Sequence, residues 1–145
     1  MSLINGHETN LLNLIFKNMD WAYIGDGAGI QNSATAGSLY ISLHTADPTD
    51  TGSDSAELSG SAYARQAIAR SGSGWTVSGS NASNAAAVTF PTATGSWGTI
   101  THVGIHYDLS GSSSMVFSAA LSVSKAITTD DVFEISIGDL DVNLD

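Results

Sequence analysis

No cysteine occurs in the 145 residues. Neither a disulfide nor a thiolate metal site can therefore hold the fold, and nothing ties the chain to an oxidising compartment. Basic residues are almost as scarce: Lys and Arg number 4 against 14 Asp and Glu, a formal net charge of −10. Such a surface repels nucleic-acid phosphates and anionic lipid head groups, so no nucleic acid and no membrane is expected as a partner. No stretch approaches the roughly 20 apolar residues of a membrane span, and the opening MSLINGHETN has no basic region followed by an apolar run, so neither insertion nor export is expected. The triplet Asn81-Ala82-Ser83 then has little to glycosylate it and reads as loop. Proline occurs twice, at Pro48 and Pro91, each just beyond a strand, where a missing N–H costs no ladder bond. A chain of this length is one domain's worth, able to bury about 70% of its unfolded surface. No repeat of solenoid length is visible.

What is present changes character along the chain. Ile4, Leu11, Leu12, Ile15, Phe16 and Met19 recur at helical spacing behind an Asn5 that can cap and a Glu8 placed as in a capping box. This predicts an amphipathic helix of about four turns within residues 1–24, an N-terminal arm whose apolar stripe needs cover from its own chain or from a neighbouring subunit. Residues 25–38 form a Gly-rich loop opened by Gly25-Asp26-Gly27-Ala28-Gly29. A phosphate cradle would need a preceding strand, a following helix and a further glycine at position 30, where Ile30 stands.

Residues 39–145 read as β. LYISLH (39–44), SAYARQAIAR (61–70), WTV (75–77), NAAAVTF (84–90), WGTITHVGIHY (97–107), MVFSAAL (115–121), VFEISI (132–137) and LDVNL (140–144) are short, rich in β-branched or aromatic residues, and bounded by turn formers. With no helical patterns between them, the expected fold is mainly β, an antiparallel β-sandwich or small barrel, with a jelly roll as one arrangement of the sandwich, plus the N-terminal helix. Alternation assigns faces. In 99–107, Val103, Ile105 and Tyr107 make the better inward face, leaving Ile100, His102, Gly104 and His106 opposite. In 132–137, Phe133, Ile135 and Ile137 are expected in the core and Glu134 on the wet side.

Candidate chemistry is thin. His102 and His106 would share a metal on a helix, but on a strand, at roughly 3.3 Å per residue, they stand about 13 Å apart, too far for an ion held about 2 Å from each nitrogen. They are expected as polar positions on an outer or interfacial face. Asp47, Asp50, Asp54 and Glu57 crowd one loop in a spacing unlike the EF-hand pattern, with the composition of a solvated turn. No serine lies in a G-x-S-x-G elbow, and no carboxylate pair sits by an evident sugar platform. No catalytic residue, metal ligand or cofactor is expected, and the chain is not expected to be an enzyme. Among Trp21, Trp75, Trp97 and the tyrosines most should be structural. Trp21 and Tyr23, beyond the helix and outside any strand, are the best interface candidates, together with Leu11, Leu12, Ile15, Phe16 and Met19 of the helix.

The succession LYISLHTADPTDTG, SGSAYARQAI, NAAAVTFPTATGSWGTITHVGI, MVFSAAL and LDVNLD resembles a group of small tailed-phage virion structural proteins, labelled either head decoration (cement) proteins or tail fibre proteins. The likeness spans nearly the whole chain, and the order of its blocks is more specific than any one of them. It implies a virion component made in the bacterial cytoplasm and carries no catalytic residues. A cement protein folds alone, stays soluble and clamps shell subunits as a symmetric homo-oligomer, a dimer before a trimer. A fibre would more often show shaft repeats or heptads. The expectation is accordingly head decoration on the outer capsid surface, with the major capsid protein and further copies of itself as partners. A tail-associated fibre or carbohydrate-binding module is the alternative, and a hydrolase a distant third.

Overall fold

A computed structural model describes residues 2–111 and 113–144. It is mainly β, with antiparallel pairings and one N-terminal helix. The elements run α1 (Asn5–Lys17), β1 (Ser38–His44), a 3-10 turn (Asp54–Ala56), β2 (Gln66–Ala69), β3 (Trp75–Ser78), β4 (Asn81–Asn84), β5 (Val88–Thr89), β6 (Gly98–His106), β7 (Met115–Ile127), β8 (Glu134–Ile135) and β9 (Asp141–Asn143). The sheets have four strands in the order β2-β1-β6-β7, three in the order β3-β4-β9, and two, β5-β8. The chain forms two compact units. One gathers Met1–Ser38, Ile68–Val88 and Ile135–Asp145, the other Leu39–Ala67 and Thr89–Glu134. Among the described residues no helix is long and apolar enough to cross a membrane.

In the first unit the helix is covered by its own chain. Leu12 and Phe16, one turn apart on α1, are fully buried, and the Phe16 ring lies 4.5 Å from the buried Trp75 of β3, tilted by 57°. Leu11 and Ile15 flank that stripe half-buried, while Met19 falls beyond the helix and is exposed. The capping box does not form. Ile4 holds the N-cap position in an extended conformation without a side-chain bond, so Asn5 is already helical and its carbonyl accepts from Thr9 Oγ1 at 3.0 Å. At the other end Asn18 turns left-handed (φ 54°) and its N–H returns to the Asn13 carbonyl, which ends the helix. Two last-turn carbonyls, Leu14 O and Ile15 O, each accept from Arg70 at 2.6 Å, and its third contact is Ala36 O at 3.0 Å. A guanidinium there satisfies carbonyls that no N–H can reach and meets the negative end of the helix dipole. Burial holds the Arg70 pKa below its ordinary value.

The β part of this unit corrects the reading of Asn81-Ala82-Ser83 as loop. Those residues are β4, the centre of its sheet, with Ala82 opposite Val77 of β3 and Val142 of β9. Ladder partners on both sides override the weak β preference of Asn and Ser. Asn84, buried at the end of β4, uses its whole amide: Nδ2 donates to Ala86 O (2.7 Å) and Ser136 O (2.9 Å), and Oδ1 accepts from Leu140 N (2.9 Å). VFEISI shrinks to the two residues of β8. Ile137 is 65% exposed rather than core, because a turn at Ser136–Asp139 ends the alternation there.

In the second unit β1 and β6 pair from Tyr40↔His106 to His44↔His102. Val103 and Ile105 are buried as expected, but Ile100 and His106 on the opposite face are buried too and Tyr107 is exposed, so the outward assignment and the inward place of Tyr107 fail. The strand is internal to its sheet, and a central strand can be covered on both sides. β7 runs well past the expected MVFSAAL, and a bulge breaks its register. Lys125 opposes Ile100 and Ala120 opposes His102, leaving Leu121–Ser124 against the single residue Thr101. Tyr63 anchors the aromatic part of the core, stacked on Phe90 at 6.1 Å and edge-on to Trp97 at 5.7 Å, with Phe133 edge-on to Phe90 at 5.8 Å.

Phe16→Ala should lower the unfolding free energy by about 3–5 kcal/mol through the cavity it leaves against Trp75, whereas exposed Met19→Ala should change it by less than about 0.5 kcal/mol. Urea midpoints with unchanged slopes measure both. Equal effects would mean that the stripe is not packed as described.

Candidate functional site

Two features stand out, one buried in the second unit and one exposed on the first. The buried feature begins at the end of β1. After His44 the chain leaves the sheet, loops through Pro48 and returns. Thr45 N donates to Ala56 O and Leu58 N to Leu43 O, each at 3.0 Å, and His44 bridges Glu57. The return carries Asp54 and Glu57 to the face of the sheet that bears Ser42, His44 and His106. Ser42 stands opposite Gly104. A Cβ at 104 would lie 2.6 Å from Ser42 Oγ and 3.2 Å from His106 Nε2, so only glycine leaves room for these side chains.

Arg65 closes the cluster. Its Nε and Nη2 grip Glu57 Oε1 and Oε2 at 2.8 and 2.6 Å, Nη2 also reaches Gly111 O at 3.2 Å, and Nη1 reaches Asp108 O at 3.0 Å and Ser114 Oγ at 3.3 Å. That is a bidentate fork with every guanidinium N–H used. Tyr63 joins the chain of bonds, its hydroxyl donating to Glu57 Oε1 and accepting from Leu43 N, both at 3.0 Å. Burial alone would push the Glu57 pKa up, yet the hydrogen bonds and charge of Arg65, with the Tyr63 bond, hold it below its ordinary value. The Arg65 pKa rises through the same hydrogen bonds. That of Tyr63 is pushed up by burial and the neighbouring carboxylate.

The imidazoles are arranged for neutrality. His44 and His106 are fully buried and lie nearly parallel with centroids 6.3 Å apart. Ser42 Oγ is 2.8 Å from Nε2 of both rings. One hydroxyl proton cannot serve two acceptors, so one ring must donate to Ser42 and the other must accept. His106 Nδ1 is 3.0 Å from Ser114 Oγ, whereas His44 Nδ1 has no hydrogen-bond partner among the described residues. The assignment that strands only a lone pair is His44 Nε2–H to Ser42 Oγ, Ser42 O–H to His106 Nε2, and His106 Nδ1–H to Ser114 Oγ. Burial lowers the pKa of both rings, with that of His106 falling to about 4, helped by the Arg65 charge.

These placements correct the histidine reading. His106 is buried and partners His44, while His102 is half-buried beside Thr101 Oγ1 (2.9 Å) and Asp47 Oδ1 (4.0 Å). The acidic loop divides likewise. Asp54 and Glu57 turn inward, Asp47 caps its own loop at Thr49 N (2.8 Å), and Asp50 is exposed. One group able to hold a cation stands out: the donor atoms of His44, Asp54, Glu57 and His106 all lie within 4.8 Å of one another. A signal for it was in the sequence. Arg65, one of two arginines in a β segment of so acidic a chain, needs a carboxylate when buried, and the loop after His44 supplies two.

The exposed feature is the segment after α1. Asn18 and Ser33 exchange two side-chain to backbone bonds (2.8 and 2.9 Å), Asp20 accepts from Asn32 N (2.7 Å), and Trp21 and Ile30 form a two-bond antiparallel bridge (2.9 Å each). Asp26 Oδ1 ties the turn at Ala28 and Gly29. Gly29 (φ 73°) passes so close beneath the Trp21 carbonyl that a side chain would collide with it. The Gly-rich loop is thus clamped at its base. Trp21 belongs to that base, buried with its Nε1–H directed to His7 Nδ1 at 3.3 Å. Tyr23, at the tip, is 83% exposed and left-handed (φ 69°), with Ile24 and Ile30 also exposed. Of the interface candidates, Leu12, Phe16 and Trp21 lie inside the first unit, Leu11 and Ile15 are half-buried, and Met19 and Tyr23 are open to solvent.

The model of the family described as "Podophage GP4 fiber I protein gp80" matches residues 2–143 of the chain. No curated protein matches it.

Two outcomes are expected of the buried cluster. Arg65→Met should cost about 3–5 kcal/mol, because it strands Glu57 and Asp54 without a cation, and thermal or urea unfolding measures this. In chelator-treated protein, stability should be complete above pH 6.5, the unfolded His106 value, and fall as the pH drops towards 4, its folded value. The unfolded chain takes up the proton first, at a cost on the order of 2 kcal/mol. Glu57, depressed when folded, adds to the loss in the same direction. A stability flat from pH 7 to 5 would contradict the neutral, buried imidazole.

Proposed function

The chain belongs to the podophage GP4 fiber I protein gp80 family and is a structural protein of the phage virion. On that premise we propose that it serves as a fibre-type component of the particle, attached through the clamped loop at Met19–Ile30 and transforming no substrate. The observation that carries the attachment is the pairing of a hydrogen-bonded base with an apolar tip. A loop whose conformation is set before binding loses little entropy on docking, and an aromatic anchor presented that way is the usual centre of binding energy. Beyond the tip, Leu3 and Ile4 on the same unit are also exposed.

The family description supports the fibre reading. Head decoration, with the major capsid protein as partner, is favoured by a different fact: the 145 residues contain neither heptads nor shaft repeats. In both cases further copies of the chain are the expected neighbours. The packing of Phe16 against Trp75 favours the loop over the helix as the attachment point. Attachment through an apolar tip is insensitive to ionic strength, whereas acidic patches docked on basic ones would release as the Debye length falls to about 8 Å and below.

Labelling the chain on intact particles and imaging them separates the locations: signal at the tail vertex supports the fibre, signal over the whole head supports decoration. Tyr23→Ser with Ile24→Ser should leave the unfolding temperature unchanged and lower particle binding about tenfold or more, with little dependence on salt. Unchanged incorporation of that double variant would refute the loop as the attachment point. Turnover of a glycan or ester by the purified chain would refute the purely structural role.

A further inference from the structure

We propose that the buried cluster of the second unit is a binding site for one divalent transition-metal ion of the zinc class, held by His44, His106 and Asp54 with Glu57 completing the donor set. Two imidazoles and two carboxylates are a donor set that suits such an ion, and their donor atoms already lie within 4.8 Å of one another. Tetrahedral bonds of 2.0–2.1 Å need donors about 3.4 Å apart, so a contraction of at most about 1.4 Å, within reach of side-chain rotation, completes the cage.

A second observation points to a cation. Both Asp54 carboxylate oxygens are closed to solvent and accept no hydrogen bond among the described residues. Arg65 Nη2 lies 3.6 Å from Oδ2 and His106 Nε2 3.9 Å from Oδ1, both beyond hydrogen-bond reach. A buried carboxylate left so is costly, and an ion beside it removes the cost. The formal charge agrees: two carboxylates face one guanidinium. Glu57 can contribute without releasing Arg65. Its Oε1 already accepts from Arg65 Nε and Tyr63, but among the described residues Oε2 accepts only from Arg65 Nη2 and keeps a lone pair. Ser114, against the far nitrogen of His106, orients that ring as outer partners of ligating histidines do. Gly104 supplies the floor, where a Cβ would press on Ser42 and His106. The ion ties the end of β1, the end of β6 and the returning Asp54–Glu57 turn, and so stabilises the fold rather than performing chemistry.

The test uses the full, untagged chain stripped with a chelator and titrated with Zn2+ at pH 7 by calorimetry. One ion per chain is expected, with a rise in unfolding temperature. Of the four histidines, the ring resonances of His44 and His106 should shift and those of His7 and His102 should not. Asp54→Asn and His44→Gln should each weaken binding by more than the ~10–100-fold that loss of an outer contact costs, and His102→Ala should leave it unchanged. Absence of stoichiometric binding, or binding that Asp54→Asn and His44→Gln leave intact, overturns the site. Should those variants fail to fold, the wild-type spectrum decides alone: Zn2+ that leaves the His44 and His106 rings unmoved also overturns it.

Discussion

The bidentate grip of Arg65 on Glu57 is the interaction on which the second unit turns. It uses both carboxylate oxygens, and the remaining N–H groups of Arg65 reach the carbonyls of Asp108 and Gly111 and the Ser114 hydroxyl. One planar group therefore joins the turn that returns after β1 to the loop between β6 and β7. A buried charge is tolerated only when paired and fully hydrogen-bonded, and a guanidinium offers five donors in a fixed fork. The aromatic ring of Tyr63 links this polar centre to the hydrophobic one, its hydroxyl on Glu57 and its face on Phe90.

The second arginine performs a parallel task in the first unit, where Arg70 closes the C-terminal carbonyls of α1. Of the four basic residues in the chain, two are thus spent on internal structure, but Asp54 and Glu57 are taken inside with Arg65, so the outer surface keeps the acidic excess of the composition. Such a surface repels other surfaces of like charge. Local apolar features stand out on it: the clamped tip around Tyr23, and the bulge of β7, where Val123 is 78% exposed.

Much of the fold was legible in the sequence. The spacing of Leu12 and Phe16 marked a helix and its buried stripe, and turn formers between β-branched runs marked most of the strands. Where local pattern misled, a tertiary partner had the stronger say. Asn81-Ala82-Ser83 looks like loop and becomes a central strand because β3 and β9 offer ladder bonds on either side. Alternation put His106 on the polar face, but β6 is internal to its sheet, and a face of an internal strand has no obligation to be wet. Ile137 failed in the opposite sense, since the turn that follows β8 carries it out of the core.

By itself the sequence determined the class: an acidic, cysteine-free chain of short strands behind one amphipathic helix, with block order matching a virion protein family. Periodicity and composition suffice for that because each strand or helix must bury one stripe and wet another, whatever lies next to it. Only the tertiary structure decided which polar residues meet. His44, Asp54, Glu57, Arg65 and His106 are spread over more than 60 positions and converge through a chain reversal and a sheet register that no local pattern encodes. Side-chain chemistry at a point depends on distances of a few ångströms, and those are set by pairing between strands remote in sequence.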